Sequence, residues 1–235
     1  MAPEITVRVA VLRMLEDGTS LREVAGLVRA MAITNVAYEA AVYPTIAFAI
    51  KQKAQRSGKE AELILEVTDD LQEQAALVRI LENSNLRNTL IGRLTDNLDK
   101  QAELICLVQK QWIGRARLIG GLTKDPERRA GLIRAATDNL EHQVELICGI
   151  TQSAKRRAEL IRWITDDLQE QAALIREITD DLGELAELIS GILSANKDCA
   201  KLVCAVTPDL NKRAAIHRLI EEPNARSWPC LLGLT

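Results

Sequence analysis

The chain has 235 residues, 47% of them apolar and 27% charged, with a formal net charge of −3. That balance excludes a disordered chain, and a sequence pI near 5.6 excludes the bulk basic field that drives non-specific nucleic-acid binding. With aromatics at 3%, 12 Gly and 6 Pro, the composition favours an all-α protein over sandwiches and barrels.

Residues 1–60 read as a helical N-terminal cap. Pro3–Glu16 is expected to be a helix opened by proline and closed at Asp17–Gly18, although its ITVRVAV stretch also alternates like a strand. Ser20 and Glu23 have capping-box spacing and predict a second helix over Ser20–Met31. Tyr38, Tyr43 and Phe48 fall in the next segment, a helical element with its own core. The stretch from Ala30 to Ile50 is the most apolar, but Asn35, Glu39 and Pro44 interrupt it, so no membrane span is expected. The first residues lack the layout of a signal peptide, and a cytoplasmic protein is expected. Lys51–Lys59 is a polar linker, with Ser57 and Glu60 recapping the chain.

From residue 61 to 222 the chain falls into 14-residue units. They begin at 61, 75, 88, 102, 116, 130, 144, 158, 172, 186, 200 and 214, with one single-residue deletion before 88. The segment TDDLQEQAAL occurs twice, at Thr68–Leu77 and Thr165–Leu174. The third position is Leu except for Ile216, the fourth is Ile or Val except for His217, and the seventh is always apolar. Fourteen residues equal two heptads, but punctuation argues against one long coiled coil. Thr stands eighth in eight units, often followed by Asp, and reads as an N-cap with acids in the first turn. Pro126 and Pro208 stand where a first turn tolerates them. Gly92, Gly120, Gly121, Gly149 and Gly191 precede the cap and read as left-handed C′ residues.

Each unit is thus predicted to be one helix of about 10–12 residues and a tight turn, with positions 11, 1, 3, 4 and 7 forming the apolar arc. Short connections make successive helices antiparallel, and stacked hairpins bury one another's faces as an α-solenoid. Residue identity at position 6 alternates with a 28-residue period, a mark of two layers, while similarities 42 residues apart keep three-helix bookkeeping open. This pattern resembles the helical-repeat class of HEAT and armadillo type, with shorter and more uniform units. The resemblance implies a curved binding scaffold.

Five cysteines without a CxxC pair, and two histidines 75 positions apart, predict no metal site, disulfide framework or cofactor. There is no phosphate loop and no nucleophilic triad, so an enzyme is not expected. The aspartate pairs at 69–70, 166–167 and 180–181 read as helix caps rather than catalytic acids. Two rows of side chains carry the functional expectations. Position 14 lies within the apolar arc yet holds Gln101, Gln143, Gln171, Arg115, Arg129 and Arg157. Such side chains either satisfy carbonyls at helix ends or form a polar row lining a groove. Position 6 of one layer places Ile80, Leu107, Ala135, Trp163 and Leu219 in register, flanked at position 5 by Arg79, Arg134, Arg162 and Arg218. An apolar strip with arginines is the chemistry of a protein-binding surface, and Trp163 is its expected hot spot. The C-terminal segment 223–235 ends in the apolar run SWPCLLGLT, which is expected to pack on the last helix or to join two copies as a homodimer. The expected function is a protein- or peptide-binding scaffold without catalysis. Nucleic-acid binding through the arginines and self-assembly are the alternatives.

Overall fold

A computed structural model describes residues 3–34, 41–54, 59–81, 87–193 and 196–226. Fifteen helices follow one another: α1 Pro3–Glu16, α2 Leu21–Thr34, α3 Val42–Ala54, α4 Glu60–Val67, α5 Leu71–Leu81, α6 Arg87–Leu94, α7 Leu98–Val108, α8 Trp112–Leu122, α9 Pro126–Ala136, α10 Leu140–Ile150, α11 Ala154–Ile164, α12 Leu168–Ile178, α13 Leu182–Ile192, α14 Asn196–Val206 and α15 Leu210–Arg226. No strand occurs among the described residues, so the alternating stretch in α1 is helical. Tyr38, Ser57 and the tail 227–235, with Trp228 and Cys230, lie outside the described residues.

The chain divides into two compact units, Met1–Leu122 and Thr123–Thr235. In each, a helix packs chiefly against the helix two along the chain. In the first unit α3 packs on α5 and α5 on α7, while α4 packs on α6 and α6 on α8. In the second, α9, α11, α13 and α15 form one series and α10, α12 and α14 the other. This serial packing gives each unit the α-solenoid arrangement, with the 28-residue helix pair as its structural repeat. The N-terminal segment joins the same scheme in part: α1 packs chiefly on α3, whereas α2 touches α4 but packs more on its neighbour α3.

The core follows the repeat. The Leu–Ile pair at positions 3 and 4 is buried in every unit from Leu77–Val78 to Leu202–Val203, and Ala at position 1 is buried beside it from Ala61 to Ala186 where Ala is present. Each buried Leu or Ile contributes about 1.5–3 kcal/mol relative to exposure. Position 11 meets expectation in part, with Ala154 buried and Leu71, Leu140, Leu168 and Leu182 half-buried. Leu98 and Leu210 are exposed, and the arc closes instead over position 14, where Gln74, Gln101, Gln171 and Arg157 are buried.

The three-residue linkers correct the reading of the caps. The threonine is not the N-cap but the C-cap of the preceding helix. Thr68, Thr137, Thr151, Thr165 and Thr179 are extended, and each backbone N–H donates to the carbonyl four residues earlier. The hydroxyl then accepts the N–H two residues on, as from Asp70, Asn97, Asp125, Asn139, Asp167 and Asp181. That second acceptor-bearing residue is the true N-cap: Asn97, Asp125, Asn139, Asp167 and Asp181 each take an N–H from the first turn of the next helix. A hydroxyl suits a turn because it accepts from the backbone two residues ahead, and a carboxylate suits the cap because it meets the positive helix end.

The glycines also differ from expectation. Among the described residues only Gly18 has positive φ, at 85°, where Gly18 and Thr19 donate back to the carbonyls of Leu15 and Met14 and close α1. Gly92, Gly120, Gly121, Gly149 and Gly191 are helical residues. Some of them admit a neighbour: a Cβ on Gly191 would stand 2.7 Å from the Ala158 Cβ on α11. Gly26 in α2 is the opposite case, because an added Cβ would meet nothing within 4 Å. Gly26→Ala is expected to raise stability by about 0.5–1 kcal/mol through reduced backbone entropy, read as a higher urea midpoint.

The capping box is present as expected. Ser20 Oγ accepts from the Glu23 N–H, and the Glu23 carboxylate accepts from the Ser20 N–H and hydroxyl. These bonds hold the Glu23 carboxyl below its usual range. A longer-range tie, the Arg29–Glu73 ion pair at 2.5 Å, joins α2 to α5.

Candidate functional site

The position-14 side chains share one task. Gln74, Gln101, Gln143 and Gln171 donate Nε2 to the carbonyls of Thr68, Thr95, Thr137 and Thr165, each six residues back. Arg115, Arg129, Arg157 and Arg213 donate Nε to the carbonyls of Gln109, Thr123, Thr151 and Thr207 in the same register. The acceptor is the C-cap carbonyl, which points past the last helical turn and has no helical partner. A long donor on the fourth residue of the next helix reaches it, so Gln and Arg serve equally. The row is therefore spent on linkers. Arg115 also lies with its guanidinium 4.0 Å from the Trp112 ring centre.

The position-6 residues divide between the two units. In the first, Ile80 ends α5 exposed at 40%, beside exposed Arg79, while Leu107 on the adjoining α7 is only half-buried. In the second, Trp163 on α11 is 39% exposed, with the Arg162 guanidinium 5.8 Å from its ring centre. The same register position is Ala135 on α9 and Gly191 on α13, the helices packed on either side of α11. Small flanking residues let the indole stand above the face. Leu219 and Arg218 are exposed on α15, but α13 intervenes in the packing order, so they are not grouped with Trp163.

Arg134 reaches the same end of α9 and α11. It lines a groove of about 360 Å³ with Leu140, Ile164 and Leu174 and with two carboxylates, Asp138 and Glu170. A second cleft, of about 370 Å³, opens at the start of these helices, lined by Lys124, Arg129, Thr151, Arg156, Glu159 and Leu160. Burial and the neighbouring Arg156 charge hold the Arg129 guanidinium below its usual pKa. Sequence reading missed this cleft. Its signal was position 9, which is Asp at 69, 96, 138, 166 and 180 but Lys at 110 and 124. Charge is uneven along this series: α9 and α11 expose Arg134, Lys155, Arg156 and Arg162 against the one exposed carboxylate Glu127, with Arg128 and Glu159 half-buried, whereas α13 exposes Glu187 and turns Glu184 to Arg157.

The cysteines offer little nucleophilic chemistry. Cys106, Cys148 and Cys199 are half-buried, and burial pushes their thiols above the usual pKa, which leaves them protonated at neutral pH. Cys204 is exposed. Among the described residues no group of His, Cys, Asp and Glu has metal-binding geometry, and no helix is long and apolar enough to cross a membrane.

Comparison with known proteins returns no matching family model, no matching curated sequence and no matching solved structure. The likeness to helical-repeat proteins is one of architecture.

Proposed function

We propose that the protein is a non-catalytic helical-repeat scaffold that binds an acidic protein or peptide segment bearing an apolar anchor. The observation that carries this reading is Trp163, exposed at the end of α11 with the Arg162 guanidinium 5.8 Å from its ring centre, on a helix whose Ile164 lines the Arg134 groove. Trp and Arg are the side chains most enriched among interface hot spots. The basic surface of α9 and α11 selects for a partner of opposite charge. Closed linker hydrogen bonds support the scaffold role, because they fix each helix end without help from a partner.

Peptides pairing Asp/Glu runs with one Leu, Phe or Trp test this by fluorescence polarisation. Trp163→Ala and Arg162→Ala are expected to weaken the best binder by about 10–30-fold each, as hot spots do. Both side chains are exposed, so circular dichroism is expected to be unchanged. Affinity unaffected by either substitution overturns the surface. Binding of DNA or RNA with a steep salt response, and no peptide binding, replaces the reading with a nucleic-acid one.

A further inference from the structure

We infer that the cleft at the start of α9 and α11 takes a phosphate monoester, carried as a phosphoserine or phosphothreonine of the partner segment. The source of the phosphate rests on the function proposed above; the cleft itself does not. Three cations, Lys124, Arg129 and Arg156, converge there with one carboxylate, Glu159. The surplus of two positive charges matches a monoester, which carries about −1.5 to −2 at neutral pH, better than it matches one carboxylate. Lys124 and Arg156 are both exposed and form no ion pair with another described residue, so their charges face solvent. Arg129 is oriented by its Nε bond to the Thr123 carbonyl at 2.7 Å. That bond fixes the plane of the guanidinium, and planar Arg donors suit phosphate oxygens.

The fold does not require these cations. The Lys124 position is Asp69, Asp138 and Asp166 elsewhere and Lys only at 110 and 124, and the Arg156 position is Glu at 73, 170 and 184 but basic at 100, 128 and 212. Both positions therefore tolerate either charge, and here two basic choices meet in one cleft beside an arginine whose linker role the repeat supplies anyway. The cleft also holds the Thr151 side of the next linker, whose hydroxyl is engaged by the Ser153 N–H. Arg156 precedes Trp163 by seven residues on α11, a rise of about 10 Å, so one extended segment of three or four residues spans both features.

The test titrates the full chain with acetyl-Gly-phosphoserine-Gly-amide, the glutamate version of that peptide, and AMP, followed by heteronuclear NMR. The phosphopeptide is expected to bind saturably and about 10-fold or more tighter than the glutamate peptide, as charge-assisted bonds to a dianion predict. Lys124→Ala and Arg156→Ala are each expected to weaken it about 5-fold or more, and Glu159→Gln to tighten it about 2–5-fold. Trp163→Ala is expected to leave this short peptide's affinity unchanged, which separates a failure here from a failure of the Trp163 surface. Equal affinity for the glutamate peptide, or indifference to both cation substitutions, overturns the site. Tighter binding of AMP than of the phosphopeptide overturns the peptide source.

Discussion

Arg157→Ala is expected to lower the unfolding free energy by about 2–4 kcal/mol, the range for removing one member of a buried, hydrogen-bonded ion pair. Its side chain is only 10% exposed. Nε donates to the Thr151 carbonyl at 3.0 Å, one Nη donates to Gln152 Oε1 at 3.3 Å, and the other meets the Glu184 carboxylate on α13. Alanine therefore removes the linker clip and also leaves Glu184 without its cation. Arg157→Gln separates the two effects. Glutamine already clips the equivalent carbonyls at Gln143 and Gln171, so it is expected to restore the Thr151 bond and recover about 1 kcal/mol, the net worth of one hydrogen bond. Urea unfolding should thus order the proteins as wild type, Gln, Ala. Equal losses for Gln and Ala would show that the clip contributes nothing and that the ion pair carries the whole effect.

Gly191→Ala is expected to destabilise by about 1–3 kcal/mol, the cost of overpacking a tight contact. Helix propensity alone predicts a gain of about 1 kcal/mol, so the sign of the change is the informative result. The added Cβ would stand 2.7 Å from the Ala158 Cβ. Neither atom can rotate away, because both are fixed directly to helical backbone, and relief requires α11 and α13 to move apart. Pairing the substitution with Ala158→Gly removes the opposing atom. The double-mutant cycle is expected to show a favourable coupling of about 1 kcal/mol or more. Gly26→Ala provides the contrast within the same protein, since its Cβ enters open space.

Much of the architecture was legible in the sequence because it is set by local chemistry. The 14-residue spacing of Leu–Ile pairs gave helix number and core, and the Thr–Asp–Asp runs gave the linkers. The caps were misassigned by two residues because Thr and Asp both accept backbone bonds, and only the backbone geometry shows that Thr68 ends α4 while Asp70 bonds the first turn of α5 through the Glu73 N–H. Position 14 was legible as a buried polar set but its carbonyl partner was one of two readings. The glycines misled for a different reason: Gly191 serves a neighbour 33 residues away, a relation that no local pattern carries.

The candidate surfaces were legible only in part. Trp163 and Arg162 are adjacent in sequence, so their proximity needed no fold. Whether the indole protrudes depended on Ala135 and Gly191, each 28 residues distant, standing on the flanking helices. The cleft of Lys124, Arg129 and Arg156 likewise draws on residues 27 to 32 apart.

Sequence by itself determined the helical class, the 14-residue helix spacing, the hydrophobic seam and the polar linkers, because hydrogen-bond capping and 3.6-residue periodicity act within a few residues; the 8-residue α4 and α6 and the 17-residue α15 depart from the expected length of about 10–12. Tertiary structure decided which helices touch, which glycines are tight, where Arg157 finds Glu184, and where basic side chains converge. Those outcomes follow from packing each helix on the one two along, which joins side chains about one 28-residue pair apart and so lies beyond the reach of local rules.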